Sequence, residues 1–133
     1  ARVLCVAEVT RRAGFKQDMM HLPDCGLVIS AGHPVQMRGK WQKPRNAEGF
    51  EYVSTATSDS VWNFVLNRSH SLLVNGISCV TWGHNLEDPE LYHGFYGTQR
   101  IVDALSQLQG WEVGKVCIGS WMRDQSGSVV GLS

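Results

Sequence analysis

Apolar and polar positions alternate along this chain in short runs, broken by glycine, proline or asparagine. The recurring two-residue period is that of β-strands. Residues 3–9 (VLCVAEV) read as a first strand, and 15–22 as a second that Lys16, Gln17 and Asp18 leave partly exposed. Pro23-Asp24 turns the chain into a short apolar strand at 26–30. Short strands follow at 35–37 and around Trp41, on either side of a turn at Gly39, and 44–49 is a polar loop. Two more strands are predicted at 51–57 and 61–66. In the second, Val61, Asn63 and Val65 face one way and Trp62, Phe64 and Leu66 the other. The strongest local signal is Asn75-Gly76 between the apolar runs 71–74 and 77–80: a type I′ hairpin turn needs positive φ at both central residues, which this pair tolerates. One helix stands out. Thr98 can cap it, Ile101, Leu105 and Leu108 recur at helical spacing, Val102 and Ala104 widen the stripe, and Gly110 stops it. A strand at 114–121 and a final hairpin through 125–128 complete an all-β, mainly antiparallel fold with one α-helix in the C-terminal half.

At 133 residues the chain is long enough for one domain with a real core, and 43% hydrophobic against 18% charged residues argues against disorder. Twelve basic and twelve acidic side chains cancel. A general nucleic-acid binder needs a basic surplus to displace counterions, so no nucleic-acid partner is expected. No apolar run reaches the roughly 18–20 residues that span a bilayer, and no membrane partner is expected. Glu8, Arg11 and Arg12 break any signal-peptide core at the N-terminus, which favours the cytoplasm. Cys5, Cys25, Cys79 and Cys117 are widely spaced with no C-x-x-C pair. Cys5, Cys79 and Cys117 sit in apolar runs and read as buried free thiols, with one or two disulfides left open.

Candidate chemistry rests on few residues. A lone histidine is commonly a hydrogen-bonded structural residue, and His21, His33, His70, His84 and His93 start from that reading. Ser30-Ala31-Gly32-His33 at the end of a strand differs. A hydroxyl and an imidazole three residues apart can address one backbone amide, the hydroxyl by hydrogen bonding and the imidazole by moving a proton. A second segment runs from a strand at 61–66 through His70 into the Asn75-Gly76 hairpin. Five tryptophans are many for this length; Trp41 and Trp82, with His84, are candidate contacts for a carbohydrate or protein ligand, against the commoner fate of burial. Cys79, His84 and His93 fit no standard zinc spacing, so no metal or other cofactor is expected.

Taken in order, these segments resemble the Hint (hedgehog/intein) self-processing fold, most closely its variant found with von Willebrand A domains, Vint. Ser30-Ala31-Gly32-His33 is similar to the T-x-x-H segment of inteins, with Ser for Thr, and His70 falls where a later intein histidine falls. Gly26-Leu27-Val28-Ile29, His33-Pro34-Val35 and 39–44 resemble the central Vint signature. His70 to Gly76 with Cys79-Val80-Thr81 and Gly83-His84 resembles a second. Tyr96-Gly97-Thr98, Gly110-Trp111 and Arg123-Asp124 before Gly127 extend the likeness over nearly the whole chain. The resemblance implies an autoprocessing centre with Ser30, His33, His70 and Cys79 as catalytic candidates, His33 and His70 converging on one cleft.

Two departures shape the expected activity. Hint domains open on a nucleophilic Cys or Ser, whereas Ala1 stands first here, on a short arm before His33. The intein His-Asn terminus is also out of place, since His84-Asn85 comes late and is followed by Leu86. Residues 1–133 are therefore expected to form one Hint-like domain without its first strands, inactive as it stands. The alternative is a non-catalytic binding module on that scaffold, lectin-like or protein-binding. Missing strands imply an unpaired edge at 3–9 or 26–30, to be covered by a second chain or a symmetric copy.

Overall fold

A computed structural model of the protein describes residues 2–10, 19–53, 60–68 and 70–133. Among these, the strands in chain order are β1 Val3–Thr10, β2 Met19–Leu22, β3 Leu27–Ser30, β4 Val35–Met37, β5 Lys40–Gln42, β6 Glu51–Val53, β7 Ser60–Leu66, β8 Ser71–Val74, β9 Ile77–Val80, β10 Lys115–Ile118, β11 Trp121–Arg123 and β12 Val129–Leu132. One helix, α1, spans Gln99–Ser106. The fold is all-β and mainly antiparallel, with that single helix in the C-terminal half.

The strands form small sheets ordered β10-β1-β7, β3-β2-β6, β5-β4-β9-β8 and β11-β12. The β8–β9 hairpin turns on Asn75 (φ 51°) and Gly76 (φ 84°), the left-handed pair its sequence predicts. The helix begins where expected: Thr98 accepts a hydrogen bond from the Arg100 amide at 3.3 Å, and Ile101 and Leu105 are fully buried. Burying each contributes roughly 1.5–3 kcal/mol. They join Cys5, Ala7, Val9, Val65, Phe95, Val116 and Ile118 in the main core, while Leu22, Leu27, Val35 and Cys79 form a second cluster.

Three expectations change. The edge anticipated at 3–9 is not an edge: β1 lies between antiparallel β7 and parallel β10, whereas β3 does end its sheet. Packing gives the reason. Val116 and Ile118 pair in register with Ala7 and Val9, so two buried stripes merge into one. Cys117, expected inside, is exposed, because β10 alternates and Cys117 shares the outward face with Lys115. The strand expected at 114–121 is interrupted after Ile118 and restarts as β11. The strands expected at 15–22 and 51–57 are seen at Met19–Leu22 and Glu51–Val53; their remaining positions, 15–18 and 54–57, lie outside the described residues.

Candidate functional site

The Ser30–His33 segment is a tight turn. The His33 amide donates to the Ser30 carbonyl at 3.1 Å, and the next carbonyl, of Ala31, accepts from the Arg45 amide at 3.1 Å. Arg45 belongs to a 3-10 turn at Pro44–Asn46 that docks against this segment, and a Cβ placed on Gly32 would lie 3.7 Å from Arg45 Nη1. A guanidinium therefore lies close to the turn, in reach of charge that develops there.

His33 is fixed from the other side. Its Nε2 lies 2.7 Å from the Val80 carbonyl oxygen, while the Val80 amide donates to the Pro34 carbonyl at 3.2 Å. A carbonyl only accepts, so Nε2 carries the proton and Nδ1 keeps its lone pair. Burial pushes the His33 pKa below the ordinary imidazole value of 6.5; the Val80 contact opposes this and His84 adds to it. A neutral imidazole with a free Nδ1 can accept an amide N–H or take a proton from a nucleophile.

Ser30, His33, Asn63 and Val80 line two cavities at once and so form the neck between them. One, a vestibule of about 410 Å³, is walled by Lys43, Arg45, Glu90, His84, His93 and aromatic rings. Its aromatic wall is ordered: Trp82 stacks on Tyr96 at 5.7 Å and 10°, and Trp121 meets both edge-on. The other cavity, a slot of about 480 Å³, is walled mainly by apolar residues of β3, β7, β8 and β9.

The other expected residues fall as follows. His84 is buried and both ring nitrogens are engaged: Nε2 donates to the Leu91 carbonyl at 3.1 Å, and Nδ1 accepts from the Leu86 amide at 2.9 Å. Trp82 is 7% exposed and lines the vestibule, whereas Trp41, on β5, lines neither cavity. Cys79 lines the slot with its thiol pKa pushed up to about 11 by burial, which keeps it protonated. His70 lines neither cavity. Its carbonyl accepts from the Thr81 amide at 3.0 Å, so the His33 ring and the His70 backbone hold the two ends of one peptide group, the one joining Val80 to Thr81. Among the described residues, His70 Nδ1 and the Thr81 hydroxyl are buried without hydrogen-bond partners.

Asn63, Lys43, Arg45 and Tyr96 were not singled out from sequence as site residues, and His93 was weighed only as a zinc ligand. Asn63 carried a signal: a polar side chain between Val61 and Val65 on one strand face invites a role. His93 accepts through Nδ1 from the amides of Phe95 and Tyr96, both at 3.0 Å, which folds the vestibule wall back on itself.

Among known proteins, a protein-family model described as "Vint: Hint-domain" matches residues 1–131. No curated protein matches the chain.

Proposed function

This chain belongs to the Vint family of Hint domains, and from that membership and the neck geometry we propose that it carries the amide-activating centre of a Hint-type autoprocessing reaction. The observation behind this reading is the 2.7 Å contact of His33 Nε2 with the Val80 carbonyl, which spends Nε2–H and leaves Nδ1 as the basic nitrogen. The peptide bond to be broken lies at the neck. Ser30 hydrogen-bonds it and Arg45 stabilises the oxyanion that forms when its carbonyl is attacked. The attacking thiol or hydroxyl is that of the residue following the scissile bond. Its oxygen or sulfur bonds to the carbonyl carbon, the C–N bond breaks, and the proton it gives up passes through His33 Nδ1 to the departing amine. Water or a second nucleophile then opens the resulting ester or thioester.

Among the described residues, no activated thiol lines the neck. Cys5 is fully buried with a raised pKa, and Cys79 is protonated. The nucleophile in this reading is a Cys or Ser outside the described lining. The test is mass spectrometry of the polypeptide its gene encodes, with and without hydroxylamine, which intercepts esters and thioesters. A fragment ending at the edge of this domain, lost in His33→Ala, supports the reading; an intact chain under all conditions overturns it. The second reading, a non-catalytic binding module, draws on the Trp82–Tyr96–Trp121 wall. Saturable quenching of tryptophan fluorescence by a soluble glycan, with no cleavage, would favour it.

A further inference from the structure

The slot beside the neck has an unusual lining. It touches Leu27, Val28, Ile29 and Ser30 of β3, and Val61, Trp62, Asn63 and Phe64 of β7. Neighbouring residues of a strand point to opposite faces, so a cavity touching four in a row meets the strand along its backbone edge. From β8, by contrast, it touches Leu72 and Val74, alternate residues of one face. Among the described residues, both β3 and β7 end their sheets on the side that β2 and β1 do not occupy. For β7 the direction is fixed by hydrogen bonding. The Phe64 carbonyl accepts from the Trp82 amide at 3.0 Å, on the side away from β1, and the two-residue period turns the Trp62 backbone groups the same way. The slot is therefore flanked by two strand edges and floored by a sheet face.

Beyond the Trp82 segment, which bridges β7 at Val65, these edges are unpaired among the described residues, and such edges accept an extended backbone. The geometry points to a substrate-binding site in which a peptide segment of about four residues adds as a strand between β3 and β7, its end passing the neck at Ser30 and His33. This rests on the autoprocessing reading for its purpose and names the conformation and chemistry of the segment acted on. Four extended residues span roughly 13 Å. Among the described residues, the slot carries no ionisable side chain besides His33 and a protonated thiol, so the bound residues are β-branched or apolar. Beyond the neck, Lys43 and Arg45 outnumber Glu90, so an acidic residue follows them.

The test uses two synthetic peptides: acetyl-Val-Thr-Val-Ile-Gly-Asp-amide and the same sequence N-methylated at every residue, which keeps the side chains but removes the strand-pairing donors of both edges. The unmethylated peptide should slow amide hydrogen exchange at Trp62 and at those amides of 27–30 that point away from β2 at least tenfold, and shift the fluorescence of half-exposed Trp62; the methylated peptide should do neither. Equal binding of both, or no protection at those amides by either, overturns the slot. Cleavage is followed by mass in parallel on the gene-encoded polypeptide. Protection without cleavage keeps the slot and rejects the catalytic reading, and cleavage without protection does the reverse.

Discussion

His33 donates from Nε2 to the carbonyl oxygen of Val80 at 2.7 Å, joining a turn at the end of β3 to the last residue of β9. That bond sets which imidazole nitrogen is free, and the Val80 amide's bond to Pro34 prevents the two segments from sliding. The site is thus held by backbone groups of two sheets, with His33 as the side chain common to them.

Stability should fall in mild acid. Burial lowers the pKa of His33, His84 and His93 below 6.5, so the unfolded chain binds protons there before the folded one does. Their contribution is complete above about pH 6.5 and is lost as pH falls through the folded values. Urea midpoints measured from pH 7.5 to 5.0 should decline, and His33→Gln should flatten part of the slope.

Gly97→Ala should loosen the vestibule. A Cβ there would sit 3.0 Å from the His84 ring and 3.1 Å from the His93 carbonyl, so one of the two must move. Overpacking of this kind costs about 1–3 kcal/mol, readable as a reduced urea midpoint with an unchanged slope.

Thr81→Val should stabilise the protein by about 1 kcal/mol, because the buried hydroxyl has no partner among the described residues and its removal leaves no new orphan. Loss of stability in this variant would show that the hydroxyl is bonded in solution, to His70 Nδ1 or a water.

Thiol labelling should separate the cysteines. Exposed Cys117 should react with iodoacetamide at pH 7.5 within minutes. Cys79, with a pKa of about 11, is thiolate in about one molecule in three thousand at that pH and buried besides. It and Cys5 should label only in denaturant, as peptide mapping would show.

Much of this was legible in local sequence. Asn75-Gly76, the Thr98 cap and the Ile101–Leu105 spacing each specify their element through contacts a few residues long. The Ser30–His33 turn was visible for the same reason. What is set by distant partners was not. The parallel pairing of β1 with β10 joins opposite ends of the chain, and only the match of buried stripes reveals it. The exposure of Cys117 was readable from its place beside Lys115, but an apolar run suggested a buried strand. Arg45 reaches the site through a docked 3-10 turn that no periodicity announces. The backbone of His70 is left-handed, φ 32°, and its carbonyl is held by the Thr81 amide, neither of which a motif encodes.

The most direct test of the central claim is the protonation state and role of His33. Nitrogen-15 chemical shifts of its imidazole at pH 7, in the intact protein, should show a neutral ring protonated at Nε2. On the gene-encoded polypeptide, the hydroxylamine-dependent cleavage rate should fall at least a hundredfold in His33→Ala, and in the wild type it should decline in acid as Nδ1 becomes protonated. A ring protonated at Nδ1, or cleavage that proceeds unchanged in His33→Ala, would contradict the account.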